Sequence, residues 1–259
     1  MNGIQILNNF TLSIKPNIMR NIILLIVMFC FTQNFIFSQE IALPEELADN
    51  SIAYDVKGRW GWQINQVIKF GDYKTSKIKK GWIVTTHSNI LDDFKKSKQK
   101  FSYTQYDPTG KEAYVNCFGE LSQRDLPIIK DFLSWNLEYK NVFSGLIELA
   151  DDSLSWRYLV NDPDTYPGDN QEMGYLESNT GDQIKIYGVN KLKGKKIPKL
   201  FQSQIFGYVF KENETILGAV SVYNKGKVYL PENSDDDINL LIASIATALL
   251  VRSNLEEQE

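Results

Sequence analysis

Asp235-Asp236-Asp237-Ile238-Asn239-Leu240-Leu241-Ile242-Ala243-Ser244-Ile245-Ala246-Thr247-Ala248-Leu249-Leu250-Val251-Arg252-Ser253-Asn254 decides how the rest of the chain is read. The stretch predicts one helix over 235–254. Its large aliphatic residues do not fall on one stripe. At 100° per residue they spread almost all round the cylinder, with only small or weakly polar residues between them. A helix that is apolar all round is buried all round or lies in a membrane. The apolar run is shorter than the roughly 20 residues that span a bilayer. The reading is therefore a central helix wrapped by the strands that precede it. Ser234 is the expected N-cap, the three aspartates sit on the positive end of the helix dipole, and Arg252 sits near the negative end.

Working outward, the opposite end of the chain has the form of an export signal. Ile22 to Phe31 is an unbroken apolar run preceded by Lys15 and Arg20, followed by Thr32-Gln33-Asn34 and then Phe35-Ile36-Phe37-Ser38. Basic region, apolar core and a small residue at the cut predict a secretory signal peptide over 1–38, cleaved after Ser38. Met19 begins a compact signal by itself, so an upstream extension over 1–17 is the alternative start. The competing reading is a membrane anchor over 22–37. The short core and its uncharged C-terminal flank argue against it. The expected location is periplasmic or extracellular.

The chain has 259 residues, 43% apolar and 23% charged, which is ordinary globular composition. Of its 28 basic residues two lie in 1–38, where there are no acidic ones, so the remainder carries 26 basic against 32 acidic residues, net −6. A net-negative domain is a poor nucleic-acid binder. Beyond the signal a single cysteine, Cys117, remains, so no disulfide partner is expected.

Residues 39–55 read as a leader, with Ala42-Leu43-Pro44 and an acidic Glu45-Glu46 followed by a helical turn, and 56–259 as a single β-rich domain ending in the helix. From Val56 onward glycines recur among aromatic and β-branched residues, which predicts short strands near 59–63, 66–70, 75–79 and 82–86. A unit then repeats three times. Phe101-Ser102-Tyr103, Met173-Gly174-Tyr175 and Phe206-Gly207-Tyr208 each open a strand. Polar turns follow, among them Asp107-Pro108-Thr109-Gly110 and Ser178-Asn179-Thr180-Gly181-Asp182, and a run of β-formers returns. Two further strands are expected near 141–149 and 154–160, a helix over 121–133 interrupted at Pro127, and a short strand over 227–230. The expected fold is mainly β: a single antiparallel β-barrel, or strongly curved sheet, packed around a buried C-terminal helix.

Serial hairpins of aromatic strand, polar turn and returning strand, closed by an apolar C-terminal helix, resemble the layout of the tubby-like and scramblase-like barrels. That resemblance implies a closed antiparallel barrel around a hydrophobic helix over 57–254. The basic lipid-binding residues of the tubby family have no counterparts here, so its phosphoinositide function is not implied. Through Gly71-Asp72-Tyr73-Lys74-Thr75 and Gly81-Trp82 the chain is also similar to uncharacterised exported proteins of Gram-negative bacteria, a resemblance that implies no activity.

Residues able to carry chemistry are few. The sole histidine, His87, has no nucleophile motif beside it, and Gly-x-Ser-x-Gly occurs nowhere. One histidine and one cysteine do not make a zinc site of usual composition. Alternation in Tyr114-Val115-Asn116-Cys117-Phe118 makes Cys117 a small core residue. Asp162, Asp164 and Asp169, with Glu172, form the densest carboxylate loop; they are candidates for a hard cation or an acid/base pair against a solvated turn. Trp60, Trp62 and Trp82 are candidates for a sugar-stacking platform against core packing. Three lysine-rich stretches, 74–80, 95–100 and 191–199, would meet an anionic surface such as lipid head groups if they converge. No cofactor motif is present. The expected function is a non-catalytic envelope protein, a binding or structural module for a lipid or glycan. The alternative is a secreted hydrolase working through carboxylates.

Overall fold

The computed structural model describes residues 40–59, 65–81, 100–118, 142–150, 154–161, 171–197 and 204–256. Residues 40–259 form one compact unit. The expected export signal over 1–38 and the helix expected over 121–133 lie outside the described residues.

A short helix α1 (Glu45–Asn50) leads into β1 (Ser51–Asp55). Then come β2 (Lys69–Phe70), β3 (Tyr73–Thr75), β4 (Lys79–Lys80), β5 (Lys100–Tyr106), β6 (Glu112–Phe118), β7 (Val142–Leu149) and β8 (Ser155–Asn161). The chain continues through β9 (Glu172–Ser178), β10 (Gln183–Val189), β11 (Gly207–Glu212), β12 (Thr215–Ser221) and β13 (Lys227–Pro231) to α2 (Asp236–Glu256). The ladder runs β1-β13-β12-β11-β10-β9-β8-β7-β6-β5-β3-β2, antiparallel throughout, with β4 added beside β5. Its two ends meet. Lys57, just beyond β1, bridges to Lys69 of β2, with Lys57 N donating to Lys69 O at 2.8 Å and Lys69 N to Lys57 O at 3.0 Å. The sheet is thus a nearly closed twelve-strand antiparallel barrel with a C-terminal helix.

The three large-small-Tyr units are hairpins, β5–β6, β9–β10 and β11–β12. Their turns form for the reason that short polar side chains suit turns: they replace backbone partners. Asp107 Oδ1 accepts from Thr109 N at 2.9 Å and Lys111 N at 2.8 Å, and Ser178 Oγ accepts from Asp182 N at 2.9 Å. The stretch 39–55, read as a leader with a helical turn, supplies α1 and, beyond that reading, a strand of the barrel, β1. β1 is only five residues long and its neighbour β13 lies at the far end of the chain, so local pattern carries little trace of it.

One register row shows how the wall faces inward. Phe101, Cys117, Gly145, Tyr158, Leu176 and Ile184 are successive partners across β5 to β10. All but glycine join the main core. α2 packs against β5, β6, β7, β12 and β13, and no residue from Leu240 to Val251 is more than 1% exposed. The all-round apolar helix is buried all round because the wall surrounds it. Its N-cap is Asp235 rather than Ser234: Asp235 Oδ1 accepts from Asp237 N at 2.9 Å and Ile238 N at 3.3 Å. At its start Asp237 pairs with Lys111 of the β5–β6 turn. Near its finish Arg59 donates to the Leu250 carbonyl at 3.2 Å, and to Val222 O at 2.7 Å and Asn224 O at 2.9 Å in the β12–β13 connection.

A second core lies on the outside of the wall. Val189, Val209, Ile216, Ala219 and Tyr229 turn outward from β10 to β13, and Ile41, Leu47 and Leu192 cover them. No helix among the described residues is both long and apolar enough to cross a membrane.

Candidate functional site

The covering layer over β10–β13 holds the candidate site, a groove of about 1090 Å³. Two walls build it. The first is α1. Glu45 and Glu46 sit at its positive end, where the helix dipole favours carboxylates. Leu47 anchors it, 2% exposed, in the outer core. Glu45, Ala48 and Asp49, spaced i, i+3, i+4, then share the face that lines the groove.

The second wall is the connection after β10. Ile41 bridges to Leu192, with Ala42 N donating to Lys191 O at 2.9 Å and Lys193 N to Glu40 O at 2.8 Å. The chain then turns at Gly194, whose φ of +69° is the left-handed conformation that glycine adopts without strain. Lys195 N closes the turn on Leu192 O at 3.3 Å. The turn sets Lys191, Lys193, Lys195 and Lys196 along one rim, all exposed.

The floor is apolar, made by Ile41, Leu43, Leu192, Ile197 and Tyr229. Tyr229 is 5% exposed, and its hydroxyl has no hydrogen-bond partner among the described residues. Burial, reinforced by the nearby Glu40 and Asp55 carboxylates, holds that phenol protonated well above its ordinary range. Below the rim Glu40 pairs with Lys227 at 2.8 Å, and Asp55 lies 3.7 Å from the same ammonium. The Lys227 hydrogen bond lowers the Glu40 pKa and raises that of Lys227.

No protein-family model, curated protein or solved structure matches the chain. The site is therefore read from its own residues.

The residues singled out in sequence fare unevenly. Trp60, Trp62 and Trp82, Asp162, Asp164 and Asp169, and His87 all lie outside the described residues. Glu172 is described and is held by Lys185 at 3.0 Å. Cys117 is fully buried, and burial pushes its thiol pKa up, as a core residue requires. Of the three lysine stretches, 95–100 lies outside the described residues but for the backbone of Lys100. Lys74, Lys77, Lys79 and Lys80 belong to the β3–β4 side and do not line the groove, whereas Lys191 to Lys196 do. The carboxylates that shift, Glu40 and Asp182, both shift down, through hydrogen bonds from Lys227 and from Thr180 and Ser178. No group of three or more His, Cys, Asp or Glu side chains able to hold a metal ion occurs among the described residues.

Sequence reasoning missed Arg59 and gave α1 only as a helical turn after Glu45-Glu46. A proline followed by two glutamates, Pro44-Glu45-Glu46, is the signal that marks the helix start. Arg59 had none, because its acceptors are carbonyls some 160 to 190 residues away in the chain.

Proposed function

We propose that the chain is an exported, non-catalytic module of the cell envelope that binds a lipid or glycan. The observation that carries this is the groove: an apolar floor with charged walls, on the outer face of a barrel whose interior is packed around α2. Ligand sites combine apolar surface with placed polar groups, and here seven charged side chains share the lining with the apolar floor. A carboxylate-dependent hydrolase needs an acid whose pKa is raised beside a second carboxylate. Glu40, the groove carboxylate whose pKa moves, moves the other way. The tubby-like and scramblase-like likeness belongs to the same proposal, and a twelve-strand ladder around an apolar helix supports it as layout.

The test is native mass spectrometry of the protein produced from the full chain and purified gently after export. The expected result is a reproducible excess mass that leaves on collisional activation and identifies a lipid or glycan. Turnover of an envelope lipid or glycan by the purified protein would overturn the non-catalytic reading.

A further inference from the structure

The two walls of the groove carry opposite charge and do not neutralise each other. Glu45 and Asp49 stand on the α1 side, Lys193, Lys195 and Lys196 on the other wall, and among the described residues none of the five is in an ion pair, Lys193 acting only through its charge on Glu40. Opposed charges that a protein leaves apart across an apolar floor match a ligand that is itself doubly charged and partly apolar. A purely anionic ligand would gain from the lysines and lose against Glu45 and Asp49. A purely cationic one would do the reverse. The groove, at about 1090 Å³, stands at the upper end of the sizes of small-ligand sites, roughly 300–1,000 Å³. It has room for more than a head group, and Ile41, Leu43, Leu192 and Ile197 would receive alkyl chain. Tyr229 lines the floor, and its buried hydroxyl has no partner among the described residues, so an oxygen of the ligand that reached it would satisfy it.

We infer that the groove binds a zwitterionic phospholipid bearing a phosphate and a primary ammonium, with phosphate toward the lysine rim, ammonium toward Glu45 and Asp49, and alkyl chain on the floor. This rests on the reading of the chain as an envelope binding module and names the ligand class of that site.

The test is native mass spectrometry of the full-chain product with four probes: dihexanoyl phosphatidylethanolamine, the choline and glycerol analogues with the same chains, and glycerophosphoethanolamine without chains. The expected order places the ethanolamine lipid first. The choline analogue is weaker because a quaternary ammonium donates no hydrogen bond, and the chain-free head group is weaker because the floor goes unused. Glu45→Gln with Asp49→Asn should weaken the ethanolamine lipid by about five- to tenfold while favouring the glycerol analogue, since two exposed charge contacts are lost. Lys195→Gln with Lys196→Gln should weaken both lipids. Tyr229→Phe removes a hydroxyl that has no partner among the described residues, so it should weaken binding without lowering the melting temperature.

Tighter binding of the glycerol analogue by the unaltered protein would overturn the inference in favour of an anionic site. Equal binding of the chain-free head group would overturn the phospholipid. No binding of the ethanolamine lipid would overturn the inference outright, and an excess mass of other chemistry on the exported protein would at the same time leave the broader reading standing. Cleavage of the bound probe would instead sink the non-catalytic reading.

Discussion

Thr247 Oγ1 donates a 2.9 Å hydrogen bond to Gln105 Oε1 inside the barrel, both side chains fully buried. Gln105 Nε2 meanwhile donates to Lys74 O at 3.1 Å and Tyr106 O at 3.3 Å, so one amide ties α2 to β5 and to β3. An apolar helix inside an apolar wall has few directional contacts to set its rotation. This pair, with the Tyr103 hydroxyl donating to Ser244 O at 2.7 Å, supplies them. Thr247→Val keeps the shape and removes the donor, leaving a buried acceptor unmet. The expected loss is about 1–3 kcal/mol of unfolding free energy. Thr247→Ser should lose less. Equal stability of the Val variant in denaturant titration would show that the hydrogen bond contributes nothing.

Stopping the chain at Pro231 removes α2 and exposes the inward rows of the wall. Leu240, Leu241, Ile242, Ile245, Leu249 and Leu250 are each at most 1% exposed, and each buried side chain of this kind contributes about 1.5–3 kcal/mol. The truncated chain is expected to show no cooperative thermal transition. A sharp melt from that product would mean that the wall closes on itself without its filling.

Arg59 joins three carbonyls that come from two separate parts of the chain, Leu250 in α2 and Val222 and Asn224 before β13. It offers cationic donors at the negative end of the helix dipole. Hydrogen bonds to charged groups contribute about 1.5–3 kcal/mol each, net of exchange with water, when well buried. Arg59→Ala should therefore cost about 2–4 kcal/mol, and Arg59→Lys nearly as much, because an ammonium cannot reproduce the planar fork. If the Lys variant melts with the unaltered protein, charge alone is sufficient and the geometry is not.

The Glu40–Lys227 pair makes a pH-dependent clasp for the covering layer. The Glu40 pKa is lowered below 4.5 by the Lys227 hydrogen bond, so its contribution is full above that value and fades as pH falls through the depressed one. The Lys227 pKa is raised above 10.5, chiefly by the Glu40 hydrogen bond, so its contribution is full below that value and fades as pH climbs further. The Glu40 side chain is 38% exposed, and water screening reduces the pair to about 0.2–1 kcal/mol. Glu40→Gln should melt slightly below the unaltered protein at neutral pH, with the gap closing at strongly acidic pH as the carboxylate protonates. A gap of the same size at both pH values would assign the effect to packing instead.

Strong local pattern carried much of the fold. The all-round apolar composition of 240–251 demanded burial on every side. The Asp-Pro-Thr-Gly and Ser-Asn-Thr-Gly-Asp turns marked β5–β6 and β9–β10 because turn chemistry is written in consecutive residues. Cys117 was legible as core from alternation alone. The two-residue strands β2 and β4 fell within or at the edge of stretches read as longer ones, since a strand that short has no period to detect.

The sequence by itself determined a mainly β chain around a buried C-terminal helix, because burial and turn formation act on neighbouring residues. Tertiary structure alone decided that β1 pairs with β13, that Lys57 and Lys69 meet to bring the barrel to near closure, and that α1 and the Lys191–Lys196 turn stand as two walls of one groove. Those pairings join residues far apart in the chain. Their partners are chosen by register and by the outward apolar face of β10–β13, neither of which leaves a local mark in the residues that complete them.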